Sequence, residues 1–253
     1  MCIIFMAKNV HPDYPLIIAA NRDEYFSRPT QAPTWWPEAP HLFAGKDLQA
    51  GGTWLGHNKK NRVAGITNLR CPELHLTGAK SRGDLVKRFL DIDTDNTEVA
   101  MAEFTAFLTA SYDQYNPFNI VFGDVNTLMV FSSATGVAQV LGDGVHSLSN
   151  GLPNNIWPKM HRGIDKLSVY LNTERTLNAE PIFSLLRDET LAPATGLPKT
   201  GISSDTERLL SSIFIPECRL NNQRYGTRSS SIIWLDKHPL NAGVVMQSLI
   251  HNK

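Results

Sequence analysis

The chain has 253 residues, with 24 Lys plus Arg against 24 Asp plus Glu, and 42% of it is hydrophobic. That length can bury a substantial core, and balanced charge argues against a general affinity for nucleic acid or anionic membrane. No run approaches the ~20 apolar residues that cross a bilayer, and Cys2, Cys71 and Cys218 lie too far apart for a disulfide framework or a structural zinc site.

Cys2 directly follows Met1 and opens a β-prone run, Ile3-Ile4-Phe5-Met6. This run stops at Lys8 with no basic residues ahead of it, unlike a secretion signal, so a reducing cytoplasm is the expected location. Residues 15–20 form a second apolar run beyond Asn9, His11, Pro12 and Asp13, and the pair predicts a β-hairpin. Its far strand brings Asn21, Arg22, Asp23 and Glu24 back beside Cys2. Removal of Met1 would leave a thiol and a free α-amine on one residue, and an amine of pKa about 7.7–8.0 can serve as that thiol's base. The plainer alternative is a cysteine buried for packing.

Residues 29–50 carry Pro29, Pro33, Pro37 and Pro40 and read as a stiff loop. Within it, Trp35 and Trp36 either wall a ligand pocket or cover a sheet edge. A glycine-framed strand follows at residues 51–58, with Trp54 and His57, then a basic turn and a strand at residues 62–67 that ends at Asn68. The glycines match no phosphate-binding loop and mark bulges or close backbone approach. Asn68 reads by itself as a residue closing the strand in a turn. Pro72, after Cys71, ends the extended segment.

Ser81-Arg82-Gly83-Asp84 opens a helix with Leu85, Val86, Phe89 and Leu90 on one face. A second helix over about 97–112 has Thr97 as its cap and Val99, Ala102, Ala106 and Ala110 toward a sheet. Strands at 119–123, 127–131 and 137–141 lead to Asn150-Gly151, a standard tight-turn pair. The longest helix starts near Trp157 and carries a stripe of Trp157, Met160, Ile164, Leu167 and Leu171, with His161 as a structural neighbour. Short helices near 182–187 and 205–214 precede strands at 229–235 and 243–250. No repeat or linker divides the chain, so residues 1–253 are expected to form one domain.

Cys2, the Asn21–Glu24 tetrad, Gly51-Gly52-Thr53-Trp54-Leu55-Gly56 and Gly226-Thr227-Arg228-Ser229-Ser230-Ser231 together resemble the NRDE family, also called transport and Golgi organisation 2-like. The resemblance implies the N-terminal nucleophile hydrolase fold, an α+β four-layer αββα sandwich. Asn68 and Asn150 resemble the asparagines that border the nucleophile in cholylglycine hydrolases and penicillin V acylases, so Cys2, Asn68, Asn150 and Arg228 would be catalytic in an amidase. Those amidases carry Arg-x-x-Asp near the nucleophile. At that spacing this chain has Asn21 and Glu24, and the shift of arginine to Arg22 is expected to turn it to the opposite face.

For that reason, and from the family's association with heme trafficking, the favoured expectation is a protein that binds heme, or an acyl-CoA-like lipid, and exchanges it with unidentified donor and acceptor proteins. Its pocket would be formed by Asn21, Arg22, Asp23, Glu24, Trp54 and His57, with Cys2 and His57 as the least arbitrary axial residues. The alternative is an N-terminal-cysteine amide hydrolase.

Overall fold

A computed structural model describes residues 2–237 and 243–251. Met1, on which the expected processing step falls, lies outside the described residues. In chain order come β1 (Cys2–Lys8), β2 (Leu16–Tyr25), β3 (Thr30–Trp36), β4 (Ala39–Asp47), β5 (Leu55–Asn58) and β6 (Val63–Asn68). The helices α1 (Gly83–Asp91) and α2 (Thr97–Ser111) precede β7 (Phe118–Gly123), β8 (Leu128–Ser132), β9 (Val137–Val140) and β10 (Gly144–Leu148). Then follow α3 (Pro158–Thr173), α4 (Ala179–Leu186), α5 (Ser204–Leu209), β11 (Cys218–Leu220), β12 (Gln223–Asp236) and β13 (Gly243–Ile250).

These elements fall into two compact units: Met1–Ser27 with Gly142–Lys253, and Arg28–Leu141. The first holds a sheet ordered β10-β1-β2-β12-β11, with β13 also paired to β12. The β1–β2 hairpin closes through Asn9, whose φ of 53° is left-handed and whose amide donates to the Pro15 carbonyl at 2.8 Å. Alternation along β1 then sends Ile3, Phe5 and Ala7 into one apolar core with Met160, Leu167 and Leu171 of α3 and Ile182 and Leu186 of α4. Gly163 makes this contact possible: a Cβ there would lie 2.1 Å from the Phe5 ring. The stripe expected on the longest helix is the one that packs.

In the second unit the sheet runs β3-β4-β5-β6-β7-β8-β9. Phe89 of α1, Phe104 of α2 and Phe122 of β7 form an aromatic triangle with centroids 5.0 to 5.3 Å apart. The β5–β6 turn caps α1, because Asn58 donates to the Leu90 carbonyl at 2.8 Å and wholly buried Arg62 to the Ile92 carbonyl at 2.8 Å. Gly52 abuts Gly83 at the start of α1, and a Cβ there would lie 2.5 Å from the Gly83 carbonyl carbon. The close approach expected of these glycines is therefore a packing feature.

Four expectations are corrected. Residues 29–50 hold strands β3 and β4, not a loop; β3 lies at the end of its sheet and its pairing with β4 breaks register around Pro33, which is how a ladder accommodates proline. Trp36 is buried and donates to the Ala44 carbonyl, whereas Trp35 stays 43% exposed. Helix α2 is capped by Asn96, which accepts from Glu98 and Val99, and it buries Ala100, Met101, Phe104 and Leu108 while Ala102, Ala106 and Ala110 are exposed. Packing followed the large side chains. Finally, α5 ends at Leu209, and the glycine-framed strand β5 begins only at Leu55.

Candidate functional site

The antiparallel register of the hairpin pairs Cys2 with Arg22 and Ile3 with Asn21. Directly opposed residues project to the same face, so this register divides the tetrad in two. Asn21 and Asp23 share the face of Ile3 and the helices. Arg22 and Glu24 share the face of Cys2. The expected turning of Arg22 away from the nucleophile is thus corrected: the neighbouring strand's register, not its spacing from Glu24, sets its direction.

The helix-side pair is committed to scaffolding. Asn21 donates to the carbonyls of Leu186 at 2.7 Å and Ile213 at 2.9 Å, and accepts from Ser230 at 2.7 Å. Asp23 accepts from the Thr227 hydroxyl at 2.7 Å, and that oxygen accepts the Ile215 amide at 2.8 Å. Buried Lys159 donates to the Leu210 carbonyl at 3.0 Å. Burial holds the Asp23 carboxyl above its ordinary range, against the Lys159 charge and the Thr227 hydrogen bond.

On the other face, Cys2 is 9% exposed and Arg22 is buried, with Glu24 at 3.7 Å from the guanidinium. Burial pushes the Cys2 thiol up, the Asp23 and Glu24 carboxylates add to the rise, and Arg22 opposes it. Across the other edge of β1, Ser149 donates to the Cys2 carbonyl at 3.3 Å, and buried Asn150 follows it. A bulge in β12 between Thr227 and Ser229 makes Arg228 the extra residue and brings Ser229 opposite Arg22. Arg228 donates to the carbonyls of Tyr25 at 3.0 Å and Phe26 at 3.1 Å and lies over the Phe26 ring. The guanidinium that acts on the thiol is that of Arg22.

The remaining candidates belong to the second unit. Asn68 ends β6, half-buried and paired with Phe118. Trp54 packs over Gly45, where a Cβ would lie 2.5 Å from its ring. The His57 ring stacks on Phe43 at 5.3 Å and meets the edge of Trp35 at 5.6 Å, and burial pulls its pKa down to about 4. Among the described residues, no group of three or more His, Cys, Asp and Glu is arranged to hold a metal ion. None of their helices is long and apolar enough to cross a membrane.

Sequence reasoning missed Ser229, Thr227 and Lys159. The alternation of side chains along residues 226–231 carried a signal for the two β12 residues, but the bulge inverts its phase. Lys159 sat beside a recognised helix stripe and reads there as a solvated charge.

The chain as a whole resembles known proteins. The family described as Transport and Golgi organisation 2 matches residues 1–246. The chain belongs to that family. The Bos taurus Transport and Golgi organization protein 2 homolog is 30% identical, covering 93% of this chain and 89% of the relative. The Drosophila melanogaster Transport and Golgi organization protein 2 is 26% identical over 93% and 88%. Among solved structures, the Caenorhabditis elegans N-acylethanolamine-hydrolyzing acid amidase ortholog superposes with a TM-score of 0.51 at 11% identity, covering 99% of this chain and 100% of that one. The α+β fold of this family member is therefore the N-terminal nucleophile hydrolase fold.

Proposed function

We propose that this member of the Transport and Golgi organisation 2 family handles acyl ligands at Cys2, and that the Cys2 thiol, once Met1 is removed, attacks an amide-type carbonyl. The observation that carries this reading is the Cys2–Arg22 register, which puts a buried guanidinium on the nucleophile's own face.

The raised thiol is neutral at pH 7, so attack needs a base, and the α-amine of a processed Cys2 is the base that comes with the residue. Sulfur bonds to the carbonyl carbon as its proton passes to that amine. The carbonyl electrons move onto oxygen, where an N–H of Asn150 stabilises the charge. Collapse expels the amine, which takes the proton from the α-ammonium and leaves a thioester on Cys2. Water, deprotonated by the same α-amine, then cleaves the thioester and restores the thiol.

Heme handling, favoured by the sequence reading, calls for apolar walls and an available axial residue. The side chains on the Cys2 face of its sheet row are instead charged or hydrogen-bonding, the neutral thiol is a poor thiolate ligand, and the His57 ring is engaged by Phe43 and Trp35. These features favour the carbonyl ligand.

The test is intact-mass spectrometry of Met1-processed protein incubated with p-nitrophenyl butyrate. One butyryl group on Cys2, absent from Cys2→Ala, is expected. No acylation, together with a stoichiometric Soret band on adding heme, would overturn the reading in favour of heme.

A further inference from the structure

Cys2, Arg22 and Ser229 stand in one row across β1, β2 and β12, since Cys2 pairs with Arg22 and Arg22 with Ser229. All three therefore project to one face. The β12 bulge is what puts serine there. Without it, Arg228 would oppose Arg22, and like charges directly across a ladder repel. The next residue fits this phase, because Ser230 bonds Asn21 on the helix face.

Ser229 is 2% exposed, and its hydroxyl makes no hydrogen bond within the described residues. The serines that follow it are satisfied: Ser230 by Asn21 and Ser231 by Ser248. A buried hydroxyl left without a partner costs stability, and such groups in native proteins call for an explanation. The charge beside it is cationic: Arg22 and Arg228, which act on each other, outnumber Glu24.

Building on the acyl-ligand reading, we propose that Ser229 is a ligand-recognition residue, its hydroxyl placed with the Arg22 guanidinium to receive a carboxylate carried by the acyl ligand. Neighbouring strands lie ~4.8 Å apart, so Ser229 is about 10 Å from the Cys2 row position. An acyl compound whose carboxylate is separated from its amide nitrogen by one or two carbons spans that distance, given a near-attack separation of about 3 Å at the carbonyl and hydrogen-bond reach at the head. The planar guanidinium suits the two carboxylate oxygens, and the hydroxyl adds a donor from the adjacent strand.

The experiment follows protection of Cys2 from iodoacetamide, read by peptide mass so that Cys71 and Cys218 are scored separately. The probes are N-lauroylglycine and N-lauroylglycinamide, which differ in the carboxylate alone. Wild type should be protected at a lower concentration by the carboxylate. Ser229→Ala should shrink that preference roughly tenfold, the weight of a hydrogen bond to a charged group, and Ser229→Thr should keep it. Because Ser229→Ala removes an unpartnered hydroxyl, its melting temperature should match or exceed that of wild type, which a structural serine would not allow. Equal protection by the two probes in wild type, or an unchanged preference in Ser229→Ala, overturns the Ser229 assignment and leaves the Cys2 reading standing. Failure of both probes to protect wild-type Cys2 overturns the two together.

Discussion

Arg22 stands directly across the β1–β2 ladder from Cys2, and the same register turns Asn21 and Asp23 toward the helices. One tetrad thus serves two faces of a sheet, with alternate residues holding the scaffold and facing the thiol. Replacing Arg22 by Gln removes a side-chain cation that opposes the rise in the thiol's pKa. Alkylation of Cys2 by iodoacetamide should become slower at every pH below the plateau, with its profile displaced to higher pH. A displacement to lower pH would contradict the assigned electrostatics.

Asn21 should behave as a structural residue. Asn21→Ala leaves the Leu186 and Ile213 carbonyls without this donor, while the Ser230 hydroxyl keeps only its bond to His251 at 2.9 Å. Each buried group so stranded costs about 1–3 kcal/mol, so a loss of roughly 3 kcal/mol or more is expected in urea unfolding. The folded variant should retain the wild-type pH profile of Cys2 alkylation, because the Asn21 side chain lies on the other face.

The parts of this arrangement that could be read from sequence are those set by local pattern. Two β-prone runs around an Asn-Pro-Asp turn gave the hairpin and returned the tetrad to Cys2, and the Trp157–Leu171 stripe gave the helix that covers it. What could not be read depends on partners distant in sequence. Pro33 looks like a breaker until its strand is known to lie at a sheet end, where a missing ladder N–H is tolerated. The direction of Arg22 follows from its pairing with Cys2, not from its spacing to Glu24. Ser229 is hidden by a one-residue bulge, and the alanines of α2 mimic a packing face that Met101, Phe104 and Leu108 occupy.

Gly163→Ala tests the packing of α3 on the hairpin. The new methyl would meet the Phe5 ring at 2.1 Å, and neither the sheet nor the helix backbone can yield without shifting others. Overpacking of this kind costs about 1–3 kcal/mol. Phe5→Leu, which shortens the opposing side chain, should recover part of the loss in the double variant, and strict additivity would argue against the contact.

His57 should make the protein acid-sensitive. Burial lowers its pKa from 6.5 to about 4, so the folded state favours the neutral ring. For a depressed pKa, the stabilisation is complete above the unfolded value and is lost as pH falls through the window from 6.5 toward 4. A difference of one pH unit between the folded and unfolded values corresponds to about 1.4 kcal/mol, which puts the full effect on the order of 3 kcal/mol. His57→Phe retains an aromatic ring against Phe43 and Trp35 and carries no such penalty. Relative to wild type it should gain stability between pH 6.5 and 4 in urea melts; a parallel pH dependence in the two proteins would refute the assignment.

The group that takes the proton from Cys2 depends on whether Met1 is present. With Met1 in place the Cys2 nitrogen is an amide and accepts no proton, so reaction must wait for the thiol to ionise, above its ordinary 9.0 because of burial. After processing, the same nitrogen is an amine with an ordinary pKa of about 7.7–8.0. It can take the thiol proton as sulfur attacks, and the fraction of amine in its basic form sets the rate. The rate of acylation by p-nitrophenyl butyrate should therefore climb between about pH 7 and 8.5 in processed protein and level off before the thiol titrates. In protein retaining Met1 the reaction should be slow at about pH 8 and rise only as thiolate forms at higher pH. Mass spectrometry assigns the two forms in one preparation, so each acylated species can be followed separately. Identical pH profiles for the two forms would remove the α-amine from the mechanism, while a rise between about pH 7 and 8.5 confined to the processed form would identify it as the base.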